Sequence, residues 1–502
     1  MRTSTASAVE PAPDVPMADG PASTRRSAVL ARLYWLWPVL LMLALGLFRI
    51  SRTGLWRDEL ATWSAIDRSS GELWDLLHNI DASTGLYYFI EHFWVDAFGH
   101  SLLVMRLPSV LAMAGATLFV SLAGAKLFGR RTGLAAGVIF ACIPSVSRYA
   151  QEARAYAFVM LAVAAATWLL LRALERPTAL RWAAYGFSVT LTGYFHMVAL
   201  TFLTAHAVIV GIRWWHGRRR ALLVGFLVSA GVAVLPVLPL MKLGQEQSKD
   251  QLSWLTSPPV QYVGDVFLRG LFGSSLVSYA FLALAILPLA WPSRRRAAFE
   301  VGVMAVLPVG LLWLVSQTSS HYFLDRYLLF TLPAWALLAA NVLTMLRPKV
   351  LGALGLAVLL LAGVPDQRSV RKWDSRETWT AKGAAAVIEH GYRAGDGMLP
   401  SRKPWELEAD LALDYYLTDT DVHPKDVALT RSTTEIAALH AQRCADPSGC
   451  SFDTPRIWVV TFGFPWDVQQ NLTTGEKKAL EPYRQVSQQI TGGMTVTLMQ
   501  RR

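Results

Sequence analysis

The chain has 502 residues, 53% of them hydrophobic and 17% charged, with a mean hydropathy of +0.34. That balance excludes an ordinary soluble globular protein and predicts a polytopic membrane protein. A formal net charge of +11 does not signal nucleic-acid binding, because the basic residues are not gathered on one domain but recur in short loops between apolar runs.

In chain order, Met1 to Arg26 is rich in Ala, Ser, Thr and Pro without an apolar core, so residues 1–32 are predicted to be a disordered cytoplasmic tail. No small-residue cleavage site clearly ends the apolar run that follows, which argues against a cleaved signal peptide. Leu33–Ile50 is the first predicted span. It is followed by Trp56-Arg57-Asp58-Glu59-Leu60, two adjacent carboxylates and an arginine at the mouth of a membrane helix. Ionisable groups there are costly unless they face water, protein or substrate, so they are functional candidates.

The stretch Gly85 to Trp94 is short, aromatic and interrupted by Glu91 and His92, and is predicted to be an interfacial helix in a long first outer loop, residues 51–106. Further spans are predicted at Leu107–Phe128, Thr132–Ser147, Ala155–Leu171, Trp182–His196, Met197–Ile212, Ala221–Leu243, Leu276–Trp291, Ala297–Val315, Tyr327–Leu346 and Val350–Val364. That makes about eleven, several shorter than the roughly 20 residues of a perpendicular helix. Arginine clusters at Arg130-Arg131, Arg172 to Arg181, Arg213 to Arg220, Arg294 to Arg296 and Arg347 mark cytoplasmic turns. Residues 33–365 are thus one transmembrane domain.

Beyond Val364 the composition becomes that of a soluble protein. Helical patterning at Ala384–Ile388 and Glu408–Leu417, with strand patterning at Val427–Leu429, Ile457–Val460 and Met494–Met499, predicts a small α/β domain over residues 366–502. The span count places it outside the cell, with the N-terminus cytoplasmic. Cys444 and Cys450 stand six apart in this domain, as a disulfide loop in an oxidising compartment or as two free thiols. No metal-ligand spacing is visible.

Polar residues at the predicted outward ends of spans form four further groups. Arg148-Tyr149-Ala150-Gln151-Glu152-Ala153-Arg154-Ala155-Tyr156 puts Tyr149, Glu152 and Tyr156 on one helical face, with Arg154 free to reach an anion; a plain Arg148–Glu152 pair with aromatic anchors is the structural alternative. His196 ends Tyr194-Phe195-His196, and a lone His in an apolar setting is more often structural. The loop Gly244 to Ser274, containing Arg269, suits a gate or a solvated connector. His321-Tyr322-Phe323-Leu324-Asp325-Arg326-Tyr327 offers Arg326 as a phosphate clamp or as a partner of Asp325. Carboxylates, arginines and tyrosines on an outer face suit a transferase fed by a lipid carrier: a carboxylate takes the acceptor hydroxyl's proton while cations stabilise a leaving phosphate.

Arg57-Asp58-Glu59, Leu86-Tyr87-Tyr88 with Trp94 and Gly99, Arg106-Leu107-Pro108-Ser109, Leu127-Phe128-Gly129-Arg130, Gln151 to Tyr156, and Arg326-Tyr327 with Pro333 occur in an order that resembles the GT-C class of polyprenyl-phosphate-sugar glycosyltransferases. The branch is that of protein O-mannosyltransferases, the aminoarabinose transferase and Rgt-like mannosyltransferases. The resemblance implies a GT-C-like fold and a polyprenyl-phosphate-linked sugar donor. It implies a glycan, lipid or protein acceptor, and inversion at the anomeric carbon.

It further implies Asp58 as general base, Glu59 in support, and Arg154 and Arg326 near the carrier phosphate. The remaining candidates are Arg57, Tyr88, Tyr149, Glu152, Tyr156, His196, Arg269, His321 and Tyr327. Asp81-Ala82-Ser83-Thr84-Gly85 replaces the Pro-Pro element of many relatives, so no lysine contact is assigned from this segment. No cofactor is assigned; some distant GT-C members use a divalent cation. The competing readings are a glycolipid or polyprenyl-lipid flippase, which would place its polar residues near the bilayer midplane, and a non-catalytic scaffold.

Overall fold

The computed structural model describes residues 33–287, 294–318, 321–400, 409–444, 452–464 and 467–502. The predicted tail, residues 1–32, lies outside the described residues. Among those described, seven helices are long and apolar enough to cross a membrane: Leu102–Phe128, Tyr156–Glu175, Met197–Gly217, Arg220–Gln251, Arg295–Val315, Asp325–Met345 and Lys349–Ser369. An eighth is the pair Arg130–Cys142 and Pro144–Ala150, bent by 67°, where Pro144 cannot continue the hydrogen-bond ladder. The other predicted spans are shorter helices, Leu36–Leu47, Ala179–Phe195 and Ser275–Ile286.

Small residues bring helices close where side chains would hold them apart. A Cβ added to Gly133 would collide with the Ser121 carbonyl oxygen and lie 2.7 Å from Ala125 N, so Arg130–Cys142 packs almost backbone to backbone against Leu102–Phe128. Val224, Leu227, Val228 and Val232 are exposed at helical spacing, an apolar face suited to lipid. The arginine clusters gather at one end of the bundle. Arg213 and Arg296 both pair with Glu300, at 2.6 and 3.3 Å, and Arg294 donates to Asn341 Oδ1 at 2.9 Å while lying over Phe128.

The opposite end carries the first long loop. Arg57–Ile66 starts with Asp58 and Glu59 in its first turn, where carboxylates complement the helix dipole. Ser70–Asn79 starts with a capping box between Ser69 and Glu72, as its Ser-x-x-Glu sequence dictates. Gly85–Phe98, 14 residues long, buries Tyr87, Tyr88, Glu91 and His92 and exposes Phe93 and Phe98. It lacks the length to span, as its sequence predicts.

Two expectations are corrected. The loop predicted from Gly244 is helical to Gln251, continuing the candidate span from Arg220. Gly244 does not break it, because a Cβ there would sit 2.0 Å from Met197 Cε; glycine is kept for close packing. Of the predicted strand Val427–Leu429, Val427 and Ala428 form a turn between two short strands, and Leu429 opens the second of them.

The C-terminal part holds strands β1 (Gly397–Pro400), β2 (Lys425–Asp426), β3 (Leu429–Arg431), β4 (Gln442–Arg443), β5 (Arg456–Phe462), β6 (Tyr483–Thr491) and β7 (Met494–Arg501). Five form a mixed sheet in the order β2-β1-β5-β7-β6, with β1 parallel to β2 and β5, and β7 antiparallel to β5 and β6. Strand β5 is buried on both faces. Its Ile457 and Val459 belong to a core confined to this unit. Trp458 and Val460 point the other way, as strand alternation requires, into a core continuous with that of the membrane helices. Helix Ala409–Leu417 presents Tyr415 edge-on to Trp63, ring centroids 5.1 Å apart, which docks the unit on the first long loop. Cys444 is disulfide-bonded, and Cys450 lies outside the described residues.

Candidate active site

A cavity of about 1120 Å³ opens where the first long loop, the helix ends and the C-terminal unit meet. Asp58 lines it, with Arg154 and Arg326 beside it. Arg326 Nε lies 4.0 Å from Asp58 Oδ2, and Arg154 Nη1 donates to the Asp58 carbonyl at 3.3 Å. Lys242 adds a third cation from the helix Leu238–Gln251, and Met241, Leu311, Leu312 and Val315 form an apolar wall. Tyr156, His196 and Tyr327 line the same space as an aromatic group. The His196 ring centroid is 4.5 Å from Tyr327 and 6.3 Å from Tyr156. Arg57 is also at the wall and pairs with Glu377 at 3.0 Å.

A relay of hydrogen bonds fixes Arg154. Its Nη1 donates to Tyr88 Oη at 2.8 Å, Tyr88 donates to Asp81 Oδ2 at 2.7 Å, and Gln251 Nε2 donates to Asp81 Oδ1 at 2.7 Å. Asp81 adopts a left-handed backbone, φ 58°, a conformation in which Asp is enriched. One helical turn earlier Gln247 holds the same loop, accepting from Ala82 N–H and donating to the Leu77 carbonyl.

Glu59 is not in the cavity. Neighbours on a helix point roughly 100° apart, so when Asp58 faces the cavity Glu59 turns into protein. It is fully buried. Arg106 grips it with two bonds, Nε to Oε1 at 2.8 Å and Nη2 to Oε2 at 2.7 Å, Arg376 Nη1 adds 2.7 Å and Ala153 N–H 2.9 Å. Burial alone pushes this carboxyl up, but the two guanidiniums and these hydrogen bonds outweigh it and hold it at about 2. Arg106 also donates to the carbonyls of Ile50, Thr53 and Gly54, and Arg376 to that of Gln151. Glu59 therefore positions the turn that presents Asp58.

Other predicted residues sit behind the wall or away from it. Tyr88 is buried behind Arg154. Tyr149 is buried under Arg148 and meets Tyr156 edge-on. Glu152 is fully buried, 3.9 Å from Arg148 Nε, and both its oxygens lack a hydrogen-bond partner among the described residues. Burial lifts its carboxyl to about 7, against Arg376 and Arg148, with Glu59 and Asp58 adding to the rise. Arg269 is exposed and His321 Nδ1 bonds the Ser316 carbonyl at the end of a helix; neither lines this cavity.

Gln151 caps the first helix, donating to the carbonyls of Gly46 at 2.8 Å and Phe48 at 2.9 Å. We expect Gln151→Ala to cost about 1–3 kcal/mol, because buried carbonyls lose their donor; a detergent melting curve unchanged from wild type contradicts this.

Sequence reasoning missed Asp81, Lys242, Ser248, Gln251, Tyr322, Arg376 and His440. Ser248 Oγ and Tyr322 Oη are 3.1 Å apart and both line the cavity. Arg106 was visible within a motif but carried no assigned role.

The fold is that of GT-C membrane glycosyltransferases. Superposed on ArnT from Cupriavidus metallidurans bound to undecaprenyl phosphate, the chain gives a TM-score of 0.61 at 14% identity, over 92% of this chain and 97% of that one. The apo state of ArnT gives 0.60 at 12%, over 95% and 98%. The Archaeoglobus fulgidus oligosaccharyltransferase in complex with Zn and sulfate gives 0.52 at 11%, over 92% and 72%. Residues 84–241 match the family model for dolichyl-phosphate-mannose-protein mannosyltransferase. No curated protein matches significantly. The resemblance to polyprenyl-phosphate-sugar glycosyltransferases, read from motif order, thus agrees with both the family model and the fold.

Proposed function

We propose that this protein transfers a sugar from a polyprenyl-phosphate carrier to an acceptor hydroxyl, with Asp58 as general base. One observation carries the reading: Asp58 stands in a large cavity beside Arg154 and Arg326, next to an apolar wall built from membrane helices. The acceptor oxygen attacks the anomeric carbon and Asp58 takes its proton. The bond from that carbon to the phosphate oxygen breaks in line, with inversion, and the phosphate leaves on its lipid with the electron pair. Arg154 and Arg326 compensate the charge that develops there. A lipid phosphate suits the site, since ArnT has been solved with undecaprenyl phosphate bound.

Transfer belongs on the outer face of the cell membrane. The basic clusters at the far end of the bundle fit a cytoplasmic side, and the disulfide at Cys444 fits an oxidising compartment around residues 366–502. Membranes bearing the protein are to be incubated with a panel of radiolabelled polyprenyl-phosphate sugars carrying mannose, arabinose, galactose or glucose. We expect label from one donor class to enter an acceptor, and no incorporation from any of them overturns the reading.

A further inference from the structure

Asp58 and Asp81 both line the cavity, and the transfer chemistry above uses only the first. Asp81 is not a second free carboxylate. Its Oδ2 accepts from the Tyr88 hydroxyl at 2.7 Å and its Oδ1 from Gln251 Nε2 at 2.7 Å, so each oxygen already holds a donor. The loop that bears it turns through a left-handed residue, φ 58° at Asp81 itself, and is pinned one residue on, where Ala82 N–H donates to Gln247 Oε1 at 2.9 Å.

A carboxylate with a donor on each oxygen acts only as an acceptor, and this dictates the direction of the contacts beyond it. Tyr88 must point its one proton at Asp81, which leaves the phenolic oxygen to accept from Arg154 Nη1 at 2.8 Å. The same Nη1 donates to the Asp58 carbonyl at 3.3 Å, so both of its N–H groups are engaged by protein. Arg154 Nε and Nη2 differ. They have no hydrogen-bond partner among the described residues and are not sealed from the cavity, because Arg154 is only part-buried where it lines the wall. That edge of the guanidinium is a fork matched to two oxygens of a phosphate.

Building on that transferase reading, we infer that Asp81 and Tyr88 are positioning residues: Asp81 orients the Tyr88 phenol, and the phenol locks Arg154 so that its Nε–Nη2 edge meets two oxygens of the carrier phosphate. Gln251 sets Asp81 from the end of the helix Leu238–Gln251. Neither Asp81 nor Tyr88 takes the acceptor's proton or touches the anomeric carbon.

The test is a mutant cycle read as the Kd of the full-length protein in detergent for undecaprenyl phosphate, with transfer from radiolabelled polyprenyl-phosphate sugars in membranes measured beside it. Tyr88→Phe removes a single oxygen, and we expect it to weaken phosphate binding about tenfold, on the scale of one hydrogen bond to a charged group. In an Arg154→Gln background the same change is expected to have less than about a twofold effect, because the group it positions is gone. Asp81→Asn keeps an acceptor for Tyr88 and turns an amide nitrogen to Gln251, whose own amide can flip to receive it, so Kd and transfer should both stay within about threefold of wild type. Equal loss from Tyr88→Phe in the two backgrounds overturns the inference, and so does no loss in either. A larger loss from Asp81→Asn in Kd or in transfer overturns it too, because the charge of Asp81 then acts in its own right. If Tyr88→Phe melts early, Asp81→Gly, which suits the left-handed backbone, decides by the same cycle. A wild type that neither binds undecaprenyl phosphate nor transfers any sugar instead overturns the transferase reading itself.

Discussion

Asp58→Asn is expected to lower transfer by about 10³-fold, the middle of the range for loss of a positioned general base. The amide is nearly isosteric and Asp58 contributes its carbonyl, not its carboxylate, to the bond with Arg154, so the fold has no reason to change. Binding of undecaprenyl phosphate should be tighter. The carboxylate sits 4.0 Å from Arg326 and competes with an incoming phosphate for that guanidinium, and the substitution removes the competitor. The two readouts are therefore expected to move in opposite directions. Turnover within tenfold of wild type rules out Asp58 as the base, and weaker phosphate binding means that the carboxylate helps to hold the carrier instead.

Arg376→Ala should be the most destabilising of the changes considered. Arg376 is buried, pairs with Glu59 at 2.7 Å and satisfies the Gln151 carbonyl. Its removal leaves a buried carboxylate short of one cation and a carbonyl short of its donor, a loss of about 3–5 kcal/mol for a broken buried pair. The pH dependence has a definite sign. Glu59 is held at about 2, below its ordinary 4.5, so its contribution is complete above pH 4.5 and is lost as pH falls toward 2. Without Arg376 that carboxyl rises, and the acid limb of the melting-temperature profile should begin at higher pH. A variant with the wild-type midpoint at pH 7 and the same acid limb contradicts this account of the network.

The helical bundle and the first loop were legible because apolar runs, arginine clusters and the aromatic Gly85 to Trp94 stretch each have a direct physical meaning in a bilayer. The helix continuing to Gln251 was not, since Gln245 to Gln251 look like loop composition until Gly244 is seen packed on Met197. Within the site, Asp58, Arg154, Arg326, Tyr156, His196 and Tyr327 converge on one cavity, as charge density near predicted helix ends suggested. Treating Asp58 and Glu59 as a pair ignored the rotation between adjacent helical residues, which sends one to the cavity and the other to Arg106. Arg376 and His440 gave no signal. Each lies in unremarkable polar sequence, Arg376 317 residues from Glu59 and Leu439, the neighbour of His440, 375 residues from Ser64, and only tertiary folding brings them there.

Strand β5 divides the C-terminal unit into two unequal faces. The side bearing Trp458 and Val460 shares its interior with the membrane helices, whereas the side bearing Ile457 and Val459 encloses a core of its own. Mutational drift is therefore partitioned by strand parity. Exchanges beneath Ile457 meet a core confined to the unit, while those beneath Trp458 meet one shared with the membrane helices.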